Sequence, residues 1–177
     1  FAGEKTAQGN QDGNSIGDFT YTPPSGFLAL CAKNFPAVAV IPSEHFNTVL
    51  YEGNASTNAI TGVGFEPNFV WMKNREIAAS HGLYDSVRGT GTAKSLKSDS
   101  NAVEGNGSAN MNLTSFDSDG FSLGATSGTN QINYEADSHI AWCWDMGGSN
   151  ATNTTGSIQS TVRANPTYGQ SIVSYTG

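Results

Sequence analysis

The chain has 177 residues and a formal net charge of −7, and charged residues make up only 13% of it, about half the usual share. An acidic chain without a Lys/Arg cluster excludes a phosphate-tracking surface, so no nucleic-acid partner is expected. No run approaches eighteen consecutive apolar residues, so no membrane insertion through a helical span is expected.

Residues 1–18 hold few apolar side chains and much Gly, Asn and Asp, and read as an extended arm. The sequence opens on Phe1 with no charged and apolar leader, and reads as a piece of a longer polypeptide. FTYTPPSGFLALC predicts a short strand, a bend at Pro23 and Pro24, and a second apolar run to Cys31. Residues 37–45 read as a linker with a short β piece over 37–41. From His45 the strand signals become regular. FNTVLYEG alternates, with Val49 and Tyr51 on one face. In GFEPNFVWMKNRE, Phe69, Trp71, Lys73 and Arg75 share one face, and Val70 and Met72 the other. HGLYDSVRG is the next strand, with Leu83, Asp85 and Val87 on one side and Tyr84, Ser86 and Arg88 on the other.

NLTSFDSDGFSLG has the form of a hairpin in which Gly120 takes a positive φ at the turn. HIAWCWDMGG places Ile140, Trp142, Trp144 and Met146 on one face and Ala141 and Cys143 on the other. A strand apolar on both faces is central and buried. Residues 92–110 and 124–131 are Gly/Ser/Asn loops. SIQSTVRANPTYG and QSIVSYTG follow. QSIVSYTG (170–177) aligns without gaps on FNTVLYEG (46–53), matching Val173 to Val49, Tyr175 to Tyr51 and Gly177 to Gly53. The match marks 170–177 as the start of a second copy of the module.

The predicted fold is therefore all-β, an antiparallel β-sandwich of the jelly-roll or lectin-like kind, with long Gly/Ser/Asn loops and an extended N-terminal arm. The main module spans 46–169, and its predicted core is Val49, Phe69, Trp71, Leu83, Phe116, Phe121, Ile140 and Trp142. The two cysteines, Cys31 and Cys143, are too few for a disulfide scaffold and have no metal-binding spacing. They read as buried free thiols in strands.

SHGLYDSVRGTG (80–91) gathers His81, Asp85, Ser86 and Arg88 and resembles an active site at first sight. Strand alternation turns Ser86 away from Asp85. His81 lies about 16 Å from Ser86 at strand rise, and no Gly-x-Ser-x-Gly elbow surrounds the serine. The stretch reads as structural: Asp85 caps a turn or pairs with a base, and Arg88 serves a loop or a subunit contact. FDSDGFSLG fails as an EF-hand loop, because Phe121 falls on the third ligand position and Gly128 on the twelfth. Asp117 and Asp119 are left as an adventitious metal pair.

His45, His81 and His139 lack metal-ligand spacing. Trp71, Trp142 and Trp144 admit two readings, a sugar-stacking platform or core packing, and core packing is favoured. Tyr84, Tyr134 and Tyr168 lie in polar stretches and are the candidates for surface contacts. With no paired carboxylates in a site and no phosphate-cradling loop, no catalytic residue and no cofactor is assigned.

Four blocks now stand in order: GFEPNFVWMKNRE, SHGLYDSVRGTG, NLTSFDSDGFSLG and HIAWCWDMGG. Together they resemble a recurrent β-rich domain of virion structural and tail fibre proteins of tailed, especially marine, bacteriophages, over residues 46–177. GDFTYTPPSGFLALCAKN resembles the tail end of an SPRY-type β-sandwich, which makes residues 1–36 an arm and the remnant of an upstream module. The resemblance implies no catalytic residues. It marks Asp85, Arg88, Asp117, Asp119, Gly120, Trp142 and Trp144 as signature positions without a chemical role. Asn68 stands where the family pattern often has Asp, which argues against a metal ligand there. The implied protein is a non-enzymatic virion component, a segment of a tail fibre or host-adhesion appendage. Its expected partners are other virion proteins, copies of itself as a homo-oligomer (a trimer), and host surface glycans. The alternatives are a capsid decoration or surface-lattice protein, and a fibre-borne polysaccharide depolymerase.

Overall fold

The computed structural model describes residues 8–36, 40–105, 111–125 and 131–177. The chain divides into two compact units, Phe1–Ala39 and Val40–Gly177. The described residues of the first unit fold back on themselves around Asp12. Its Oδ1 accepts the N–H groups of Asn14 and Ile16 at 2.9 and 3.0 Å. Its Oδ2 accepts the Ala29 N–H at 2.8 Å and the Asn34 Nδ2 at 2.7 Å. These donors, Ala29 first among them, hold the carboxyl down at a pKa of about 2. An isolated antiparallel bridge joins Asn10 to Phe19. The apolar run that was expected to continue as a strand ends in a 3-10 turn, Ala32–Asn34. Residues 1–7 of the expected arm and 37–39 of the expected linker lie outside the described residues.

Among the described residues, the second unit holds ten strands. They are β1 (Phe46–Glu52), β2 (Asn58–Ile60), β3 (Phe69–Asn74), β4 (Gly82–Asp85), β5 (Leu113–Asp117), β6 (Gly120–Leu123), β7 (Ser138–Trp144), β8 (Ala151–Asn153), β9 (Ser160–Asn165) and β10 (Gln170–Tyr175). One sheet runs β1-β7-β3-β4, a second β2-β6-β5 and a third β10-β9-β8, and every pairing is antiparallel. The first two sheets enclose the core, so the fold is the antiparallel β-sandwich that the composition predicts. β7 is central in its sheet, and β5–β6 is the expected hairpin. Parts of the expected loops, 106–110 and 126–130, lie outside the described residues.

Side-chain alternation decides which face is inside. Val70, Met72 and Asn74 of β3 and His139, Ala141 and Cys143 of β7 are fully buried. The second sheet contributes Ile60, Leu113, Phe121 and Leu123, and the connections add Val63, Met111 and Ile132. Of the predicted core, Phe121 is fully buried, and Val49 and Phe116 border the cluster. Phe69, Trp71, Leu83, Ile140 and Trp142 lie instead on the opposite face of the first sheet and are half-buried. The reason is space. Facing sheets stand about 10 Å apart, and Phe121, Met72, Met111 and Tyr84 already occupy that gap. β7 answers them with the small side chains of Ala141 and Cys143. The Lys73 on the tryptophan face of β3 was the signal that this face is outer.

The hairpin also refines the role of Gly120. Asp117 pairs with Gly120, so the turn itself is Ser118 and Asp119. A Cβ on Gly120 would collide with the Ile60 carbonyl of β2. Gly120 takes the expected positive φ, +156°, and close strand approach is a second demand for the glycine.

Both cysteines are free thiols. Burial in β7 pushes the Cys143 thiol up to about 12, whereas Cys31 is half-buried and precedes a 3-10 turn rather than sitting in a strand. One thiol per folded chain should therefore react with a disulfide reagent, and the second only on unfolding. Two equally fast thiols would contradict the placement of Cys143.

Burial likewise raises the Tyr84 phenol to about 12 and the Tyr51 phenol well above its ordinary value. In the unfolded chain these groups ionise at their ordinary values, about 8.5 for Cys and about 10 for Tyr. A group raised on folding stabilises fully below its unfolded pKa and loses that contribution as pH rises through the folded one. The protein should unfold cooperatively in alkali, with the tyrosinate absorbance of the last two of its six tyrosines appearing together with loss of strand circular dichroism. Absorbance equivalent to all six tyrosinates before the strand signal falls would contradict this.

Candidate functional site

The outer face of the first sheet gathers the aromatic residues. Cross-strand register sets Trp144 between Phe46 and Phe69, and Trp142 beside Trp71. Ring centroids lie 4.9 Å apart for Phe46–Trp144, 5.1 Å for Phe69–Trp144 and 5.6 Å for Trp71–Trp142, all tilted. Phe46 is 39% exposed, Leu50 beside them is 64% exposed, and the other rings are half-buried. The rim is polar. Trp71 donates its indole N–H to His81 Nδ1 at 3.0 Å, and Ser98 Oγ lies 3.1 Å from the same nitrogen. This is a partly exposed apolar patch with polar edges, the composition of a contact surface.

Asp85 and Arg88 meet because β4 ends at Asp85 and the chain turns, which breaks the alternation expected through Arg88. Asp85 Oδ1 accepts the backbone N–H groups of Val87 and Arg88 at 3.0 and 2.9 Å. Its Oδ2 receives Arg88 Nε at 2.6 Å. Arg88 Nη1 donates to the Lys94 carbonyl at 2.9 Å and to Glu104 at 3.1 Å. The pair thus locks the strand end to the following loop, within one chain. It also borders a cleft of about 350 Å³ shared with Leu96, Ile172 and Val173.

A second polar cluster had no local signal in the sequence. His45 Nδ1 lies 2.7 Å from Asp145 Oδ2, and Tyr168 stacks on the imidazole at 3.3 Å. Asn165 Nδ2 lies 3.2 Å from the same histidine nitrogen, and Gln170 donates to the Asp145 carbonyl at 2.7 Å. Asp145 Oδ1 accepts the Gly147 N–H at 2.7 Å. The cluster fastens the β9–β10 hairpin to the ends of β1 and β7. Beside it, Phe65, Glu66, Asn68, Asp145, Gly147, Gly148 and Arg163 line a cleft of about 330 Å³. Arg163 is anchored there by donating Nε to the Gly147 carbonyl at 2.8 Å.

The tyrosines proposed as surface contacts divide. Tyr84 is fully buried, because β4 turns it inward beside Val70. Tyr168 is half-buried against His45. Tyr134 is exposed.

The two aspartates weighed for metal are held by protein donors. Asp117 Oδ2 accepts the Ser122 hydroxyl at 2.7 Å. Asp119 accepts the N–H groups of Gly62 and Gly64 at 3.1 and 2.7 Å, which lowers its pKa and ties the β2–β3 connection to the hairpin. Asn68 is buried, and its Oδ1 accepts the Met146 N–H at 3.0 Å. Among the described residues no group of three or more His, Cys, Asp or Glu is placed to hold a metal ion. His139 is buried and stacked on Tyr51, and burial lowers its pKa.

A family model described as "Domain of unknown function (DUF7483)" matches residues 41–177. The chain belongs to this family. No curated protein and no solved structure matches the chain. The DUF7483 match and the second compact unit, Val40–Gly177, agree at the start to within one residue. The aromatic face, the Asp85–Arg88 lock and the His45–Asp145 cluster are therefore all features of the DUF7483 domain.

Proposed function

We propose that this chain is a non-enzymatic structural and contact module of a bacteriophage virion, a segment of a tail fibre or host-adhesion appendage. The contact role rests on one observation, the patch of Phe46, Phe69, Trp71, Trp142 and Trp144 on an outer sheet face. The non-enzymatic part of the reading rests on the four-block resemblance, which implies no catalytic residues. The virion assignment is supported by the four-block resemblance, which also supplies the partners: other virion proteins, further copies of the chain and host surface glycans.

Antibody fragments raised against the domain should label tail appendages of the intact particle. Labelling spread over the capsid would replace the fibre reading with that of a decoration protein. Shortened chains after incubation with host polysaccharide would replace it with a depolymerase. The Trp71→Ala/Trp142→Ala double variant should keep its strand signal and lose binding to the host surface or the adjoining virion protein. Undiminished binding would remove the aromatic face from the contact.

A further inference from the structure

β1 and β10 carry the same three residues at matched positions, and the structure assigns those positions a purpose. In β1, Val49 packs against the core. Tyr51 stacks on His139 with centroids 5.1 Å apart and donates its hydroxyl to the Ile132 carbonyl at 2.6 Å. Gly53 is buried where a Cβ would collide with the Tyr134 carbonyl. All three identities between the segments are thus core-facing or close-packing positions of β1. In β10 the matched Val173 and Tyr175 are 52% and 66% exposed, beside an Ile158 that is 51% exposed. Side chains chosen for a sandwich interior stand on the surface.

The backbone agrees with the side chains. Antiparallel residues alternate between exchanging ladder bonds with one neighbour and turning to the other side. Gly53 N–H donates to the Asp137 carbonyl and Asp145 N–H to the His45 carbonyl, each at 3.0 Å. The odd-numbered residues of β1 therefore turn toward β7. The Asn165 carbonyl accepts the Tyr168 and Gly169 N–H groups at 3.3 and 2.9 Å inside the β9–β10 turn. Asn165 and its partner Gln170 therefore turn toward each other, and Ser171, Val173 and Tyr175 turn away from β9. β10 is the edge of its sheet. Its open edge is the one that, in β1, carries β7. The edge held by β9 corresponds to the open edge of β1. One strand can hold both neighbours at once.

We propose that β10 is a β1-type strand for a second copy of the sandwich. Its open edge pairs with the β7 of that copy, and Val173, Tyr175 and Gly177 fill the places that Val49, Tyr51 and Gly53 fill in this one. Successive copies would then share one continuous sheet across each junction. This inference is independent of the virion reading.

The test is the full chain extended after Gly177 by a second set of residues 54–177, so that β10 stands as the first strand of the added copy. A fusion whose added copy carries its own 46–53 after a flexible spacer calibrates the signal of two folded copies. The β10-started fusion should match it, with about twice the near-ultraviolet circular dichroism and unfolding enthalpy of the unextended chain. Val173→Asp with Tyr175→Asp at the junction should return the fusion to the one-copy signal. The same two substitutions in the unextended chain should leave its melting temperature unchanged. A β10-started fusion with the one-copy signal, or one that keeps the two-copy signal despite both aspartates, overturns the proposal. Unfolding of the unextended chain by these substitutions also overturns it, because β10 would then serve its own module alone.

Discussion

Phe121→Ala should destabilise the protein by about 3–5 kcal/mol, the range for emptying a fully buried aromatic site. Phe121 is fully buried, stands on β6 opposite Phe116 and Ile60, and presents its ring edge to Tyr51 with centroids 6.1 Å apart. Its removal leaves a void between the two sheets that neither can close without breaking a ladder. Trp142→Ala removes a larger side chain and should cost less, about 1–2 kcal/mol, mainly its ring contact with Trp71 and part of its area. Urea unfolding of the two variants side by side is the check. Equal or reversed costs would mean that the first sheet had been assigned the wrong inner face, and the contact role of the aromatic face would fall with it.

Asp85→Ala should cost a similar amount, about 3–5 kcal/mol, because it removes one partner of a buried, hydrogen-bonded ion pair. Asp85 is 4% exposed, and the Arg88 side chain is 14% exposed. The substitution leaves that guanidinium with Glu104 as its remaining carboxylate partner and frees two backbone N–H groups that Asp85 had satisfied. Arg88→Ala should be nearly as costly, since it leaves the carboxylate buried without its cation. The double variant should fall well short of the summed losses, and a double-mutant cycle measures the difference. Single losses below about 1 kcal/mol would place the pair among ordinary surface salt bridges. Asp85→Asn separates the two roles, since an amide can still cap the turn but cannot hold the charge. The expected functional consequence is local. Arg88 also holds the Lys94 carbonyl and Glu104, so losing the pair should release the loop beside β10 before it unfolds the sandwich.

The secondary structure and fold class were legible in the sequence because they depend on local spacing. Alternation in FNTVLYEG and NFVWMKN, and the turn residues between FDS and GFSLG, specify strands wherever they lie; the three-residue β2 and β8 gave no such signal, and the strand expected at FTYT is only a bridge at Phe19. The same spacing also divided β1, β3 and β7 into two faces correctly, but failed past Asp85, where β4 ends and Arg88 turns back onto it. It could not say which face is inner when both are apolar, because that depends on what the opposite sheet brings. Phe121, Met72 and Met111 fill the gap, so β7 turns Ala141 and Cys143 inward and its tryptophans outward. Tyr84 was misplaced for the same reason, its polar neighbours hiding a strand end that points into the core.

Asp85 and Arg88 were within reach of sequence reasoning, three residues apart, and only the end of β4 decided that they meet. His45, Asp145 and Tyr168 were not, because residues so distant in the chain have no spacing rule to connect them. What the sequence by itself determined is thus an all-β chain with its longer strands, the alternation within them and a β1-like segment at 170–177. The tertiary structure alone decided which faces are buried, which polar groups are spent on one another, and that β10 stands with its core-type side chains exposed and its β7-type edge open. Periodicity is a property of one strand, whereas burial and pairing are properties of two.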